Sequence, residues 1–335
     1  MPLYSIGDLA SSFLLRRQNV HLNSELGRLS QEMASGVAAD IPRHLDGNYS
    51  YLGDLERDLL VNEGYTTAAT EAALFISAMQ TTLDRVQQTA TTLSSDLILS
   101  GNTTLPEAMQ TASNNAADQL QSLLSALNTN VAGRALFSGA ATDSSSFSSA
   151  NAFLANLKTA VAGEVTLSGI LTVIDSWFDA PGGGFETNGY LGATIDLSPF
   201  PVGTGETLNL DLRGDNQTIR DLLKNTAIAA IAADSTLGYS SELQGMLLVE
   251  AGENLMTSQG ELTGIRADLG YAEARIEESR TRLSAEKTSL EMARGELLGV
   301  DLYDTATQLE NVQFQLESLY TATARLSQLS LVEYL

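Results

Sequence analysis

The sequence predicts a mainly α fold: a long antiparallel helical bundle or coiled-coil rod built from both chain ends, with a small α+β domain inserted. Three observations predict it. Near the C-terminus, Leu248, Leu255, Leu262, Leu269, Ile276, Leu283, Leu290 and Leu297 recur at an unbroken seven-residue spacing, the repeat of a helix that keeps one seam against a partner. A heptad in the first half runs through Ile76, Met79, Leu83, Val86, Ala90, Leu93 and Leu97. Between them, from about 141 to 215, helical periodicity gives way to serine-, glycine- and proline-rich stretches with short alternating runs.

In the first helix Ile6, Leu9 and Phe13 share one face, and Leu15, Leu22, Leu26, Leu29 and Met33 form a second stripe. Ser35-Gly36 should end it, since glycine accepts a left-handed cap. Pro42 and Gly47 mark the loop beyond. The heptad helix then runs to Ser100-Gly101-Asn102. The next helix is expected to take Thr103 or Thr104 as its cap, with Pro106 in the first turn. Its seam is Met109, Ser113, Ala116, Leu120, Leu123 and Leu127.

Within 141–215, a short helix is expected over Ala152–Val161 and two hairpin-like strands over Glu186–Leu197 and Thr207–Leu212, separated by Pro199, Pro201, Gly203 and Gly205. Helix resumes through Ile219, Leu222, Leu223, Ile228 and Ile231. The heptad from Leu248 to Leu297 would span roughly 75 Å at 1.5 Å per residue. Its second seam position is mostly small (Ala251, Ser258, Ala272, Ser279), which calls for a closely approaching partner. Leu302 follows Leu297 by five residues rather than seven, a phase break at Gly299-Val300-Asp301 that separates a terminal helix. The expected divisions are 1–47, a terminal assembly segment pairing with 301–335; 48–140 and 216–300, the two parts of the rod; and 141–215, the insert.

Lys and Arg number 18 against 41 Asp and Glu, a net charge of −23; such a chain is repelled by nucleic acid and by anionic membrane surfaces. There is no cysteine, which excludes disulfides, thiolate metal sites and a cysteine nucleophile. No stretch approaches the roughly 20 apolar residues of a membrane span. Met1 to Val20 lacks an apolar run of signal-peptide length, so export would proceed without an ordinary cleaved signal.

Candidate chemistry is sparse. The two histidines, His21 and His44, have no companion ligands. Ser284-Ala285-Glu286-Lys287 matches SxxK but lies inside the heptad helix without SDN or KTG partners. Arg213-Gly214-Asp215 reads as a turn, and Gly182-Gly183-Gly184 lacks the spacing of a phosphate cradle. No catalytic, cofactor or metal site is expected, and the chain is not read as an enzyme.

What remains are amphipathic stripes at both chain ends, with too little mass around them to build their own core. The expected assembly interface is Ile6, Leu9, Phe13, Leu22, Leu26, Leu29 and Met33 on the first helix, with Leu302, Leu309, Val312, Leu316, Leu319 and Leu326 on the last. The Leu248-to-Leu297 heptad is the expected rod seam.

Several strings, in their order along the chain, resemble the flagellin superfamily, in particular its hook–filament junction members. Leu26-Gly27-Arg28-Leu29-Ser30-Gln31-Glu32-Met33-Ala34-Ser35-Gly36 is similar to the family's leucine-rich helix ending in Ser-Gly. Ala39-Asp40-Ile41-Pro42 matches its acidic-pair-before-proline only imperfectly. Gly133-Arg134-Ala135-Leu136-Phe137-Ser138-Gly139, Leu269-Gly270-Tyr271-Ala272-Glu273-Ala274-Arg275-Ile276, Val300-Asp301-Leu302-Tyr303-Asp304 and the closing Leu329-Ser330-Leu331-Val332-Glu333-Tyr334-Leu335 extend the likeness over about 1–140 and 240–335. The resemblance implies an extracellular structural part of the bacterial flagellum that adapts hook to filament. Further implications are type III export without cleavage, assembly with other copies in a ring, contact with a neighbouring hook-associated protein and flagellin, and an export chaperone on the C-terminal helix. A filament-forming flagellin and a coiled-coil adhesin or signalling protein are the alternatives.

Overall fold

The computed structural model describes the backbone of residues 6–332 and the side chains of residues 10–325. In chain order the elements are α1 (Ile6–Ser35), α2 (Ile41–His44), α3 (Ser50–Gly101), α4 (Pro106–Leu127), strands β1 (Asn130–Val131) and β2 (Arg134–Ala135), α5 (Ala150–Val161) and α6 (Leu167–Asp179). There follow a π-helical turn (Phe185–Gly189), strands β3 (Phe200–Gly203) and β4 (Glu206–Leu208), α7 (Gln217–Ala232), α8 (Ser241–Leu298) and α9 (Leu302–Val332). The fold is mainly α. Its residues group into two compact units, Met1–Glu63 with Ser284–Leu335, and Gly64–Leu283. The divisions fall inside α3 and α8, where the apolar repeat offers no break.

In the unit 64–283, the seam residues Leu248, Leu255, Leu262, Leu269, Ile276 and Leu283 are all buried, as are Ile76, Met79, Leu83, Val86, Leu93 and Leu97 of α3. The two helices run antiparallel here: Gln80 Nε2 donates to Arg266 O at 2.8 Å, and Arg266 Nη1 to Gln87 Oε1 at 2.5 Å. The close approach anticipated from the small second-seam residues is found where glycines face the partner backbone. A Cβ on Gly245 would meet Gly101 O at 2.7 Å, and one on Gly252 would meet Ile98 Cγ1 at 2.7 Å and Ser94 O at 2.9 Å. Only hydrogen fits there.

Helices α4 and α7 pack against each other and share one buried core cluster with α3 and α8. Ser113, fully buried, donates to Ala230 O at 3.0 Å and accepts from Ala233 N–H at 3.2 Å, satisfying the end of α7. The start of α4 differs from expectation. The capping position is Leu105 in extended conformation, with Pro106 in the first turn, and Thr103 Oγ1 instead accepts the Leu105 N–H at 3.3 Å.

The expected strand over Glu186–Leu197 is corrected. Residues 185–189 form the π-helical turn, and the hairpin is β3–β4, with Phe200 opposite Leu208. The reason is competition for backbone partners. Leu191 N–H donates to Ser146 O at 2.8 Å, Ala193 N–H to Ser138 O at 2.8 Å, and Ala140 N–H to Ile195 O at 2.9 Å, so this segment is consumed by 138–148 and cannot ladder with 207–212. Its alternation instead delivers Tyr190 into a cluster with Phe147 and Phe185. Helix α6, capped by Thr166, lies where the sequence reading placed no element. Helix α5 begins at Ala150, capped by Ser149.

The string 133–139 is a turn followed by a core plug. Ala132 and Gly133 both have positive φ, 52° and 80°, the geometry of a two-residue hairpin turn. Arg134 pairs with Glu71 and lies 4.9 Å above the Phe75 ring. Leu136 and Phe137 are buried.

Candidate assembly interface

In the unit formed by the chain ends, α1 stops where Gly36 adopts φ +69°. The segment leaving α1 then meets the segment entering α9 as an antiparallel bridge, Val37 opposite Gly299. Ala38 N–H donates to Leu298 O at 2.9 Å, and Val300 N–H to Gly36 O at 3.1 Å. These bonds satisfy backbone groups that both helix ends would otherwise leave open. Asp301 caps α9, its carboxylate accepting Tyr303 N–H at 2.8 Å and Asp304 N–H at 3.1 Å. The phase break read at Gly299-Val300-Asp301 is therefore a structured joint.

A charge network lines this joint. Glu32, buried, accepts Ala39 N–H at 3.1 Å and Arg28 Nη1 at 2.7 Å. Arg28 also reaches Glu25 at 2.5 Å, and Arg43 approaches Glu25 at 3.2 Å. The Arg28 hydrogen bond holds the Glu25 carboxyl below its usual range against the opposing effect of burial. His44 Nε2 lies 3.0 Å from Leu297 O, at the C-terminal end of α8. Arg28, Glu32, Arg43 and His44 border a cleft of about 400 Å³ with Asp40, Asp301, Asp304 and Gln308 on its walls.

Beyond the joint, α1 and α9 pack along each other. Leu22, Leu316 and Leu319 form a small buried cluster, flanked by Leu15, Leu26 and Val312. Leu29 is buried, and Leu309 half-buried. These side chains find cover against one another inside the chain. Phe13, Met33 and Leu302 remain 67%, 43% and 49% exposed. The side chains of Ile6, Leu9 and Leu326 lie outside the described residues, as does the closing apolar tail. Positions not singled out from the sequence complete the uncovered surface: Leu14, Val20, Tyr303, Phe314 and Tyr320. Their signal was faint because each sits off the strict heptad. Of the rod seam, Leu290 and Leu297 belong to this unit and are half-buried.

The remaining motif-like strings are structural. Arg213 pairs with Asp215 at 2.8 Å and with Asp196. Gly214 lies so close under Phe147 that a Cβ would come within 2.7 Å of its ring, so the tripeptide cannot present itself to a receptor. Lys287 is exposed on α8 and faces Glu291 at 3.9 Å. Gly182 donates its N–H to Glu186 at 2.8 Å, and Gly184 packs against Trp177, which makes that stretch a tight turn. Lys224 ties α6 to α7 through Asp175, Asp179 and Asp221 at 3.1–3.2 Å. Among the described residues, no group of three or more His, Asp or Glu could hold a metal ion, and no helix is long and apolar enough to cross a membrane.

Two chain ends knit at a backbone joint, with apolar surface left uncovered, and helices held by heptad seams define a mainly helical protein. Residues 253–335 match the model of the bacterial flagellin C-terminal helical region. Among solved structures, a protein described as a flagellar hook-associated protein from Vibrio parahaemolyticus has a similar fold. Its TM-score is 0.51 at 15% identity, covering 73% of this chain and 95% of that one. No curated protein matches the chain. The flagellin-type likeness thus covers the second half of α8 and all of α9, and the structural neighbour shares the fold.

Proposed function

We propose that this protein is an exported axial component of the bacterial flagellum, acting as an adaptor that joins hook to filament by helix packing between subunits. The observation that carries the reading is the joined terminal pair. α1 and α9 cover one another's inner stripe yet leave Phe13, Leu14, Val20, Tyr303, Phe314 and Tyr320 open. Exposed large apolar side chains on paired helices mark a surface that another molecule covers. Its partners are other copies in a ring, a neighbouring hook-associated protein and flagellin, with an export chaperone holding the C-terminal helix until secretion. Export proceeds without cleavage of a signal peptide. The fold similarity to a protein described as hook-associated supports the junction role.

The flagellin-type C-terminal region also supports a filament-forming flagellin. The adhesin or signalling reading loses its footing, because the tripeptide 213–215 is locked and Leu248 to Leu283 are spent in the chain's own core. Deleting the gene tests the proposal. Cells with hooks, no filaments and flagellin shed into the medium fit the junction role. Loss of the filament protein itself, with no shed flagellin, overturns it in favour of the filament reading.

A further inference from the structure

The hairpin β3–β4 is bare along one edge. In its ladder Phe200 stands opposite Leu208 and Pro201 opposite Thr207. Pro201 has no N–H to give, so Phe200 and Leu208 are the pair that exchanges hydrogen bonds. Thr207 then turns its N–H and C=O the other way. The chain past β4 keeps the alternation of a strand: Leu208 and Leu210 are buried and Leu212 half-buried, whereas Thr207, Asn209 and Asp211 are exposed. The backbone groups of Asn209 and Asp211 therefore point to the same side as those of Thr207. Among the described residues, none from Asn209 to Leu212 makes a hydrogen bond through its backbone. The ladder stops because the next residue available opposite, Pro199, also lacks an N–H.

This edge faces α8. Phe200 of β3 packs on Phe75 of α3, with 6.0 Å between ring centroids, whereas Glu206 of β4 pairs with Arg282 of α8. Between the edge and α8 lies a cleft of about 290 Å³. Leu212, Ile265, Leu269 and Ala272 make its floor apolar, and Asp211 and Asp268 stand at its rim. Both carboxylates are exposed, and neither forms an ion pair among the described residues. Open edges are normally blunted by lysine, proline or a bulge. Here the prolines and the register shift fall on β3, and no Lys, Arg or Pro occurs from Glu206 to Leu212.

We propose that this edge docks an extended segment of another protein in which basic and apolar residues alternate. The segment adds a third strand beside β4, bonding to the N–H and C=O groups of Thr207, Asn209 and Asp211. Its apolar side chains lie on the face of Leu208, Leu210 and Leu212 and enter the cleft. Its basic side chains lie on the opposite face, beside Asp211. A second copy of this chain does not fit the site. The net charge of −23 opposes it, and outside helices and strands the described residues hold one Lys or Arg, Arg213, which is tied to Asp215 and Asp196. The site lies within residues 64–283 and does not depend on the terminal helices.

The test uses the full-length protein and capped seven-residue peptides. One alternates lysine with valine, and another glutamate with valine. Two further versions of the first are N-methylated on the lysine amides or on the valine amides. Fluorescence anisotropy should give the lysine peptide a Kd on the order of 0.1 mM and the glutamate peptide an affinity at least about tenfold weaker. Only one methylated version should lose binding, by about tenfold or more, because one set of amides faces the edge and the other faces away. Bound lysine peptide should slow amide exchange at Thr207, Asn209 and Asp211. Asn209→Pro, which removes an edge donor, should abolish binding, and Asp211→Asn/Asp268→Asn should weaken it about three- to tenfold. If Asn209→Pro unfolds the hairpin, the methylated peptides carry the test by themselves. Absence of binding, methylated versions that behave alike, protection elsewhere than 207–211, or a glutamate peptide that binds equally well overturns the proposal. Self-association of the protein that Asn209→Pro removes overturns it in favour of a second copy as the occupant.

Discussion

Val37 and Gly299 stand opposite each other in an antiparallel bridge that ties the exit of α1 to the entrance of α9. The bridge joins residues far apart in sequence within one compact unit. It is buttressed by Glu32, whose buried carboxylate holds both the Ala39 N–H and the Arg28 guanidinium. Replacing Glu32 leaves two donors without their acceptor. Glu32→Ala should destabilise the joint by about 1.5–3 kcal/mol, the range for hydrogen bonds to a charged group. Amide exchange in α1 and α9 would report it: faster exchange there with little change in α4 and α7 is expected. Unchanged protection of α1 and α9 would remove the joint from its proposed role.

The same network gives an acid dependence. The Glu25 carboxyl is held below its usual range chiefly by the hydrogen bond from Arg28, against burial and with help from Arg43. A carboxyl with a depressed folded-state pKa contributes stability above its unfolded value and loses it as pH falls through the folded one. Protection of α1 and α9 should therefore decline on acidification below the ordinary carboxylate range. Glu25→Gln should flatten that decline.

The glycines of the α3–α8 contact make a steric prediction. A Cβ on Gly252 would meet Ile98 Cγ1 at 2.7 Å and Ser94 O at 2.9 Å, so Gly252→Val must push the two helices apart. The expected destabilisation is about 1–3 kcal/mol, the usual result of overpacking. Gly264, which has nothing within 4 Å, is the control: Gly264→Ala should be neutral or stabilising, since alanine is the better helix former. Thermal melts of the two variants that shift equally would contradict the close approach.

How much of this was legible in sequence depends on the range of the interaction. Leu248 to Leu283 announced the buried seam because a seven-residue repeat repeats its own evidence, and Ser35-Gly36 and Gly299-Val300-Asp301 announced breaks because glycine and a phase shift act locally. The pairing of those two breaks was not legible, since a two-residue bridge between Val37 and Gly299 leaves no periodic trace. The strand expected over Glu186–Leu197 failed for a related reason. Alternation reports which side chains face inward, as Tyr190 does, but not which backbone takes the hydrogen bonds, and here 138–148 took them. The interface was read in part. Leu22, Leu316 and Leu319 satisfied one another, while the uncovered Phe314 and Tyr320 lie off the repeat that guided the reading.

Buried tyrosines set the alkaline limit. Tyr190 O–H lies 3.1 Å from both Phe137 O and Ala193 O, and burial pushes its ionisation well above the usual phenol value, with Asp215 and Asp196 adding to the shift and Arg213 opposing it. Tyr239 is raised in the same sense, first by burial and then by Glu164 and Asp234. A phenol whose folded-state pKa exceeds its unfolded value near 10 binds its proton more tightly when folded. The stability it adds is complete below that value and drains away as pH rises beyond it. Titration followed at the phenolate absorbance should show a late fraction, from Tyr190 and Tyr239, that appears only as the protein unfolds. Tyr190→Phe should shrink that fraction and move the alkaline transition to higher pH, while lowering neutral-pH stability by about 0.5–1.5 kcal/mol for the lost hydrogen bond. A variant that unfolds in alkali at the same pH as the wild type would show that Tyr190 is open to solvent, and would dissolve the Phe147–Phe185–Tyr190 cluster as the anchor of the 185–195 segment.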